Sequence, residues 1–362
     1  MTKLAEVAVL FLRLGFTAFG GPAAHVAIME DEVVRRKGWL SHERFLDLLG
    51  AANLIPGPSS SELAIYIGYE QAGWMGLVVA GVCFILPAAG LTGALAWAYV
   101  RFGSLPQLGG ALHGIKPVVI AVVVQALWGL APKAVKKSKL LAALGVGACV
   151  AAALQVEALG VLVAAGLLCV LVRRADARGD RGSHVAMIAP VSLTKIFLAF
   201  LKLGAVVFGS GYVLLAFLRA DLVDRWHWLT ESQLMDAVAV GQITPGPVFT
   251  TATFIGYLLG GPWGAVVATI GIFLPGFLLV AVTRPLVARV RKSEIASAFL
   301  DGVNVASLAL MAVVTVQLAH ASLVDVPTVL LAAASAVLLF RFKVNSTWLV
   351  LGGAVAGVGL VH

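Results

Sequence analysis

A proline–glycine–proline triplet occurs twice inside long apolar runs, and this pair of interruptions constrains the chain more than any other feature. The first copy is Asn53-Leu54-Ile55-Pro56-Gly57-Pro58-Ser59-Ser60-Ser61, and the second is Gln242-Ile243-Thr244-Pro245-Gly246-Pro247-Val248-Phe249-Thr250-Thr251. Two prolines around a glycine remove two backbone donors and cannot continue a helix. In hydrocarbon, the freed backbone groups survive only where protein or a water-filled cavity satisfies them. Interrupted apolar segments at matching positions of two halves point to the binding site of a transporter. The remaining sequence then reads as a frame holding the two breaks against each other.

The frame belongs in a membrane. Of 362 residues, 60% are hydrophobic and 12% charged. A soluble globule carries roughly 25% charged residues. Apolar runs of about 20 residues recur along the chain, which predicts an all-α polytopic membrane protein. The net charge of +8 does not imply nucleic acid, because the basic residues sit in short clusters between apolar runs and read as topology signals. Cys83, Cys149 and Cys169 are far apart in apolar sequence and show neither metal spacing nor a disulfide pattern. No phosphate-binding loop, nucleophile elbow, metalloprotease helix or dinucleotide fingerprint is present, so neither a cofactor nor an enzyme is expected. Residues 4–20 lack a convincing cleavage site and read as a first span.

The chain is a repeat. An offset of 189 residues aligns Leu12, Leu14, Gly15, Phe19 and Gly20 with Leu201, Leu203, Gly204, Phe208 and Gly209. Arg13 meets Lys202, Trp39 meets Trp228, and Asp47 meets Asp236, before the two triplets coincide. One residue later in the offset, Gly68-Tyr69 meets Gly256-Tyr257 and Pro87 meets Pro275. The expected organisation is an N-terminal repeat (1–172), a basic cytoplasmic linker (173–192) and a C-terminal repeat (193–362).

Charge sets the topology. If each broken segment is a re-entrant hairpin, each half has five crossings, and the basic clusters at 35–37, 133–139, 173–181, 284–292 and 341–343 all fall on one side. Five is odd, so the second half is inverted. Lysines follow the fourth segment of the first half, whereas the equivalent 320–327 has no Lys or Arg; the bias changes sides between copies. This predicts about ten transmembrane helices, within a range of ten to thirteen, with both termini outside.

Several residues are candidates for chemistry. Arg13 and Lys202 lie in apolar runs at one repeat position, where a cation at bilayer depth costs at least about 2.5 kcal/mol and usually faces a cavity or partner; snorkelling to an interface is the alternative. After each triplet a half-helix would begin, its free amides and positive dipole end suited to an anion. Ser59, Ser60, Ser61, Thr250 and Thr251 add hydroxyls, unless these bond back to their own backbone. Pro56, Gly57, Pro58, Pro245, Gly246 and Pro247 shape the two ends. Glu62 has a threonine as its counterpart; it reads as a coupling-proton carrier, a partner for Arg13, or a solvated side chain. Asp47 and Asp236, at matched positions, either couple or pair with basic residues. His25 has Leu214 opposite it in the repeat, and Gly20-Gly21 reads as a hinge or close-packing turn.

The runs LFLRLGFTAFGGPAAHVA, LIPGPSSSELAIYIGY and FILP, with FLKLGAVVFGSGY and WLTESQLMDAVAVGQITPGPVFTTATFIGY in the second half, resemble the two-domain form of the chromate ion transporters over nearly the whole chain. The resemblance implies export of chromate from the bacterial cytoplasm across the inner membrane, with sulfate as structural analogue, driven by membrane potential or a proton gradient. It implies Arg13, Gly20-Gly21, His25 and both triplets as functional residues. Sulfate or another tetrahedral oxyanion, a passive anion channel and an intramembrane enzyme are the competing functions. Membrane lipid is the expected surrounding, and a homodimer is left open.

Overall fold

The apolar runs fold as helices whose ends are set by hydroxyl caps, prolines and left-handed turns. The computed structural model describes residues 2–18, 21–53, 55–102, 106–135, 139–153, 191–207, 213–283, 294–342 and 346–360, with isolated positions at 161, 164–165, 167–168 and 344. All regular structure among them is helical. In the first half, α1 is Lys3–Thr17 and α2 is Gly21–Glu30, which widens into a π-turn at Asp31–Arg36. α3 is His42–Ala52, α4 is Ser59–Phe102, α5 is Pro106–Val135 and α6 is Lys139–Ala153. In the second half, α7 is Leu193–Val206 and α8 is Val213–Leu218, which runs into a π-turn at Arg219–Arg225. α9 is Glu231–Ile243, and a 3₁₀ turn at Val248–Thr250 leads into α10, Thr251–Thr283. α11 is Glu294–Ser322, α12 is Val326–Phe342 and α13 is Ser346–Leu360. Of the residues singled out in the sequence, Gly20, Gly209–Gly211, Cys169, the 284–292 cluster and 173–190 of the linker lie outside the described set, as does most of the apolar run 158–172.

Local chemistry recurs between the halves. Thr2 and Ser192 cap α1 and α7 by accepting from the amides of Ala5 and Lys195. Thr230 and Gln233 form a reciprocal capping box on α9. Both π-turns stop at a left-handed residue, Gly38 (φ 59°) and His227 (φ 51°). Between α11 and α12, Asp325 accepts from the Thr328 amide (2.8 Å) and meets His113 of α5 (3.1 Å). The Thr328 bonds, with a smaller contribution from His113, hold its carboxyl below the usual carboxylate range.

At 44 residues, a straight α4 would be about 66 Å long, twice the hydrocarbon thickness. It is instead two helices joined at Ala72 (φ −141°) and Gly73 (φ 61°). The limbs fold back so tightly that a β-carbon on Gly68 would overlap the Gly76 carbonyl. α10 repeats the device at Gly260 (φ −148°) and Gly261 (φ 61°), with Gly256 against Gly264. A side chain at Gly73 or Gly261 would meet nothing within 4 Å, so only backbone strain opposes substitution. Gly73→Ala is expected to cost about 1 kcal/mol, read as a lowered unfolding midpoint in detergent.

Among the described residues, four helical stretches are long and apolar enough to cross a membrane: Ser59–Phe102, Gly109–Gly129, Val248–Thr283 and Asp301–His320. Val326–Phe342 and Trp348–Gly359 are shorter apolar helices. The expected first span, 4–20, is the 15-residue α1, about 23 Å long; it ends early because Ala18 turns extended (ψ 94°). The interior is aromatic and aliphatic, with Phe11, Phe45, Tyr66 and Phe84 fully buried in the first half and Phe200, Phe249 and Phe254 in the second. Trp74, Trp97, Trp128, Trp263 and Trp348 instead point outward. An outer surface this apolar needs lipid against it, and the protein is a multi-pass membrane protein.

Candidate functional site

Each triplet ends one helix and starts another. α3 ends at Asn53, whose amide bonds the Leu49 carbonyl (3.0 Å). The chain then passes Gly57 with φ 130°, and α4 opens at Ser59, with the amides of Ser61 and Glu62 both donating to Pro58 O (2.7 and 3.2 Å). An α-helix leaves its first amides without an acceptor inside it. In the second half, α9 ends at Thr244, Gly246 takes φ 86°, and the Thr250 amide donates to Pro247 O (3.0 Å). The sequence expectation of a broken apolar segment in each half holds at both places.

The breaks are completed by exchange between the halves. Gly57 donates its amide to the carbonyl of Val207, the residue that ends α7 (2.7 Å). Gly246 donates its amide to the carbonyl of Ala18, the residue that ends α1 (2.9 Å). Each triplet therefore satisfies the helix end of the opposite repeat. Positive φ at both glycines excludes other residues at little strain, and a β-carbon on Gly57 would overlap Glu62 Oε1.

The first break gathers most polar groups. His25, on α2 and buried, bonds Ala18 O through Nε2 (3.0 Å) and meets Ser60 Oγ through Nδ1 (3.4 Å). A carbonyl oxygen only accepts, so Nε2 carries a hydrogen. His25 thereby joins the carbonyl that receives Gly246 to the start of α4, a role that Leu214 cannot repeat in the second half. Among the described residues, Ser61 Oγ and both Glu62 oxygens are buried without a hydrogen-bond partner. At the second break the hydroxyls turn inward: Thr250 and Thr251 donate to Pro247 O and Val248 O (2.8 Å each), the back-bonding alternative noted above.

Arg13 and Lys202 occupy equivalent ion pairs. Arg13 meets Glu32 (2.6 Å), which also holds Arg36 (3.0 Å). Lys202 meets Asp221 (2.8 Å) and lies over the Trp226 ring. Glu32 and Asp221 are buried members of the two π-turns. The partner of Arg13 is thus Glu32 and not Glu62. Sequence reasoning missed Glu32 and Asp221, although the 189-residue offset aligns them as two acids. Both cations contact the connectors; among the described residues no ion pair joins either one to a triplet.

Asp236 has a basic partner, as one expectation held. Lys116 of α5 pairs with it (3.0 Å) and donates to Ser232 (2.9 Å), while the Tyr99 hydroxyl of α4 donates to the other oxygen (2.9 Å). Lys116 and Tyr99 were not singled out in the sequence; a lysine within an apolar run was the available signal. Asp47 is likewise engaged. Gly21 begins α2.

The two halves also match one family separately. The family described as chromate transporter covers residues 5–170 and again 194–358. The chain belongs to the chromate transporter family. It is 37% identical to the chromate transport protein of Cupriavidus metallidurans, over 99% of this chain and 93% of that one. It is 32% identical to the probable chromate transport protein of Synechococcus elongatus (98% and 95% covered) and to the chromate transport protein of Pseudomonas aeruginosa (96% and 90%). No solved structure matches. In this member of the chromate transporter family, the first break gathers helix-end amides, buried hydroxyls and an imidazole beside one buried acid.

Proposed function

We propose that this protein is a secondary active transporter that exports chromate from the bacterial cytoplasm across the inner membrane. The anion is held between the two half-helix ends, with Arg13 and Lys202 supplying positive charge. The observation that carries the reading is the reciprocal exchange of Gly57 with Val207 and Gly246 with Ala18. It brings both interrupted segments to helix ends of opposite repeats, where a dianion would find amides from both and hydroxyls from the first. Matching turns at Gly73 and Gly261 support a five-plus-five arrangement, with repeats 1–172 and 193–362 inverted about the linker. Rocking of one repeat against the other would expose the site to each side in turn.

The test is radiolabelled chromate uptake into inside-out membrane vesicles, with and without an imposed gradient and with excess sulfate. Gradient-dependent accumulation is expected; equilibration alone would indicate a channel, and sulfate flux without chromate flux would overturn the substrate. Arg13→Ala is expected to abolish chromate flux while leaving membrane insertion intact. Unchanged flux in that variant removes Arg13 from the site.

A further inference from the structure

The half-helix after the first triplet carries an acid of its own. Glu62 lies one turn in, is fully buried, and neither oxygen has a hydrogen-bond partner. Its carboxyl group folds back over the break, with Oε1 against Gly57, whose amide is given to Val207. The same oxygen faces Gly276 of α10, 3.5 Å from where a β-carbon would sit there. Ser61 Oγ, on the preceding residue, is also buried and has no hydrogen-bond partner among the described residues. The titratable groups around it are His25 of α2, held by Ser60 and Ala18 O, and Tyr66 of its own helix, held by Thr283 of α10. From α10 itself the neighbour is Gly276. The second break has threonines in the equivalent place.

A divalent oxyanion and an ionised carboxylate at one helix end repel each other, and a like charge at close range favours the protonated acid. Resting on the transport reading above, we infer that Glu62 carries a proton while the oxyanion is bound and that the two cross together. The carboxylate gains the proton from water on the loading side and becomes a neutral carboxyl that can donate to the oxyanion. On the far side the anion leaves and the proton follows. The transported unit is a dianion plus a proton, one net negative charge. An inside-negative potential therefore drives export, and an outside-acid gradient opposes it.

The experiment uses the full chain in vesicles loaded with a pH-sensitive dye, the voltage clamped by potassium and valinomycin, at a pH where chromate is wholly divalent. Each chromate is expected to be accompanied by a proton moving in the same direction. In Glu62→Gln the remaining chromate flux is expected to be free of proton movement. Chromate flux without protons in the wild type, or with protons in the opposite direction, overturns the inference while leaving the transport reading intact. Proton movement retained in Glu62→Gln overturns it too. Absence of any chromate flux in the wild type overturns the transport reading itself, and the inference with it. Where Glu62→Gln does not fold, the wild-type ratio still decides, and Glu62→Asp, which keeps the acid, is expected to keep it.

Discussion

Gly57→Ala is expected to destabilise the protein by about 3 kcal/mol, the upper end of what a disallowed backbone conformation costs, and to stop chromate flux. Two effects act in the same direction. At φ 130° an L side chain is strained whatever space it has. The space is also taken, because the new methyl would overlap Glu62 Oε1. Relieving either conflict moves the Gly57 amide away from Val207 O, 2.7 Å away in the native protein, and leaves a helix end of the second repeat unsatisfied. A folded-fraction measurement by detergent size exclusion with heating reads the stability, and vesicle uptake reads the flux. Gly90→Ala is the control: its β-carbon would meet nothing within 4 Å, and alanine is the better helix former. Equal midpoints for the two variants would show that the first break does not need its left-handed glycine.

The second large effect belongs to Asp236. It is buried, and its charge is offset by Lys116 and Tyr99. Removing one member of a buried ion pair leaves the other uncompensated and typically costs 3–5 kcal/mol, whereas replacing both with apolar groups is far cheaper. Asp236→Ala is accordingly expected to lower stability by about 3 kcal/mol. The double variant Asp236→Ala with Lys116→Met should recover most of that. If the double variant were as unstable as the single one, the ion pair would not be the cause. The cycle also separates structure from transport. A double variant that is stable but inactive would give Asp236 a role in the transport cycle, as the sequence left open.

The helices, the two breaks and the family were legible in the sequence because each rests on a local signal: apolar length, proline geometry, or a motif in fixed register. The exchange between halves was not legible. Gly57 and Val207, like Gly246 and Ala18, are far apart in the chain, and nothing in their identities distinguishes a bond within a repeat from one across it. The ion pairs were half legible. Arg13 and Lys202 were singled out as cations at bilayer depth, yet their acids lie in the π-turns of the connectors, which apolar periodicity does not reveal. Glu62 was noticed for breaking the symmetry. Its lack of any partner emerged only from packing, since an acid in an apolar run is usually matched by a nearby base.

The exchanged hydrogen bonds also bear on how the protein is made. While the first repeat is leaving the ribosome, the carbonyl of Ala18 has no Gly246 to receive and the amide of Gly57 has no Val207 to meet. The first triplet is then an open polar gap inside a newly inserted half, and the two exchanged bonds form only once both repeats are in the bilayer. A nascent chain halted after the first repeat would be held as an unfinished client of the insertion machinery, open to proteolysis at the 53–58 break.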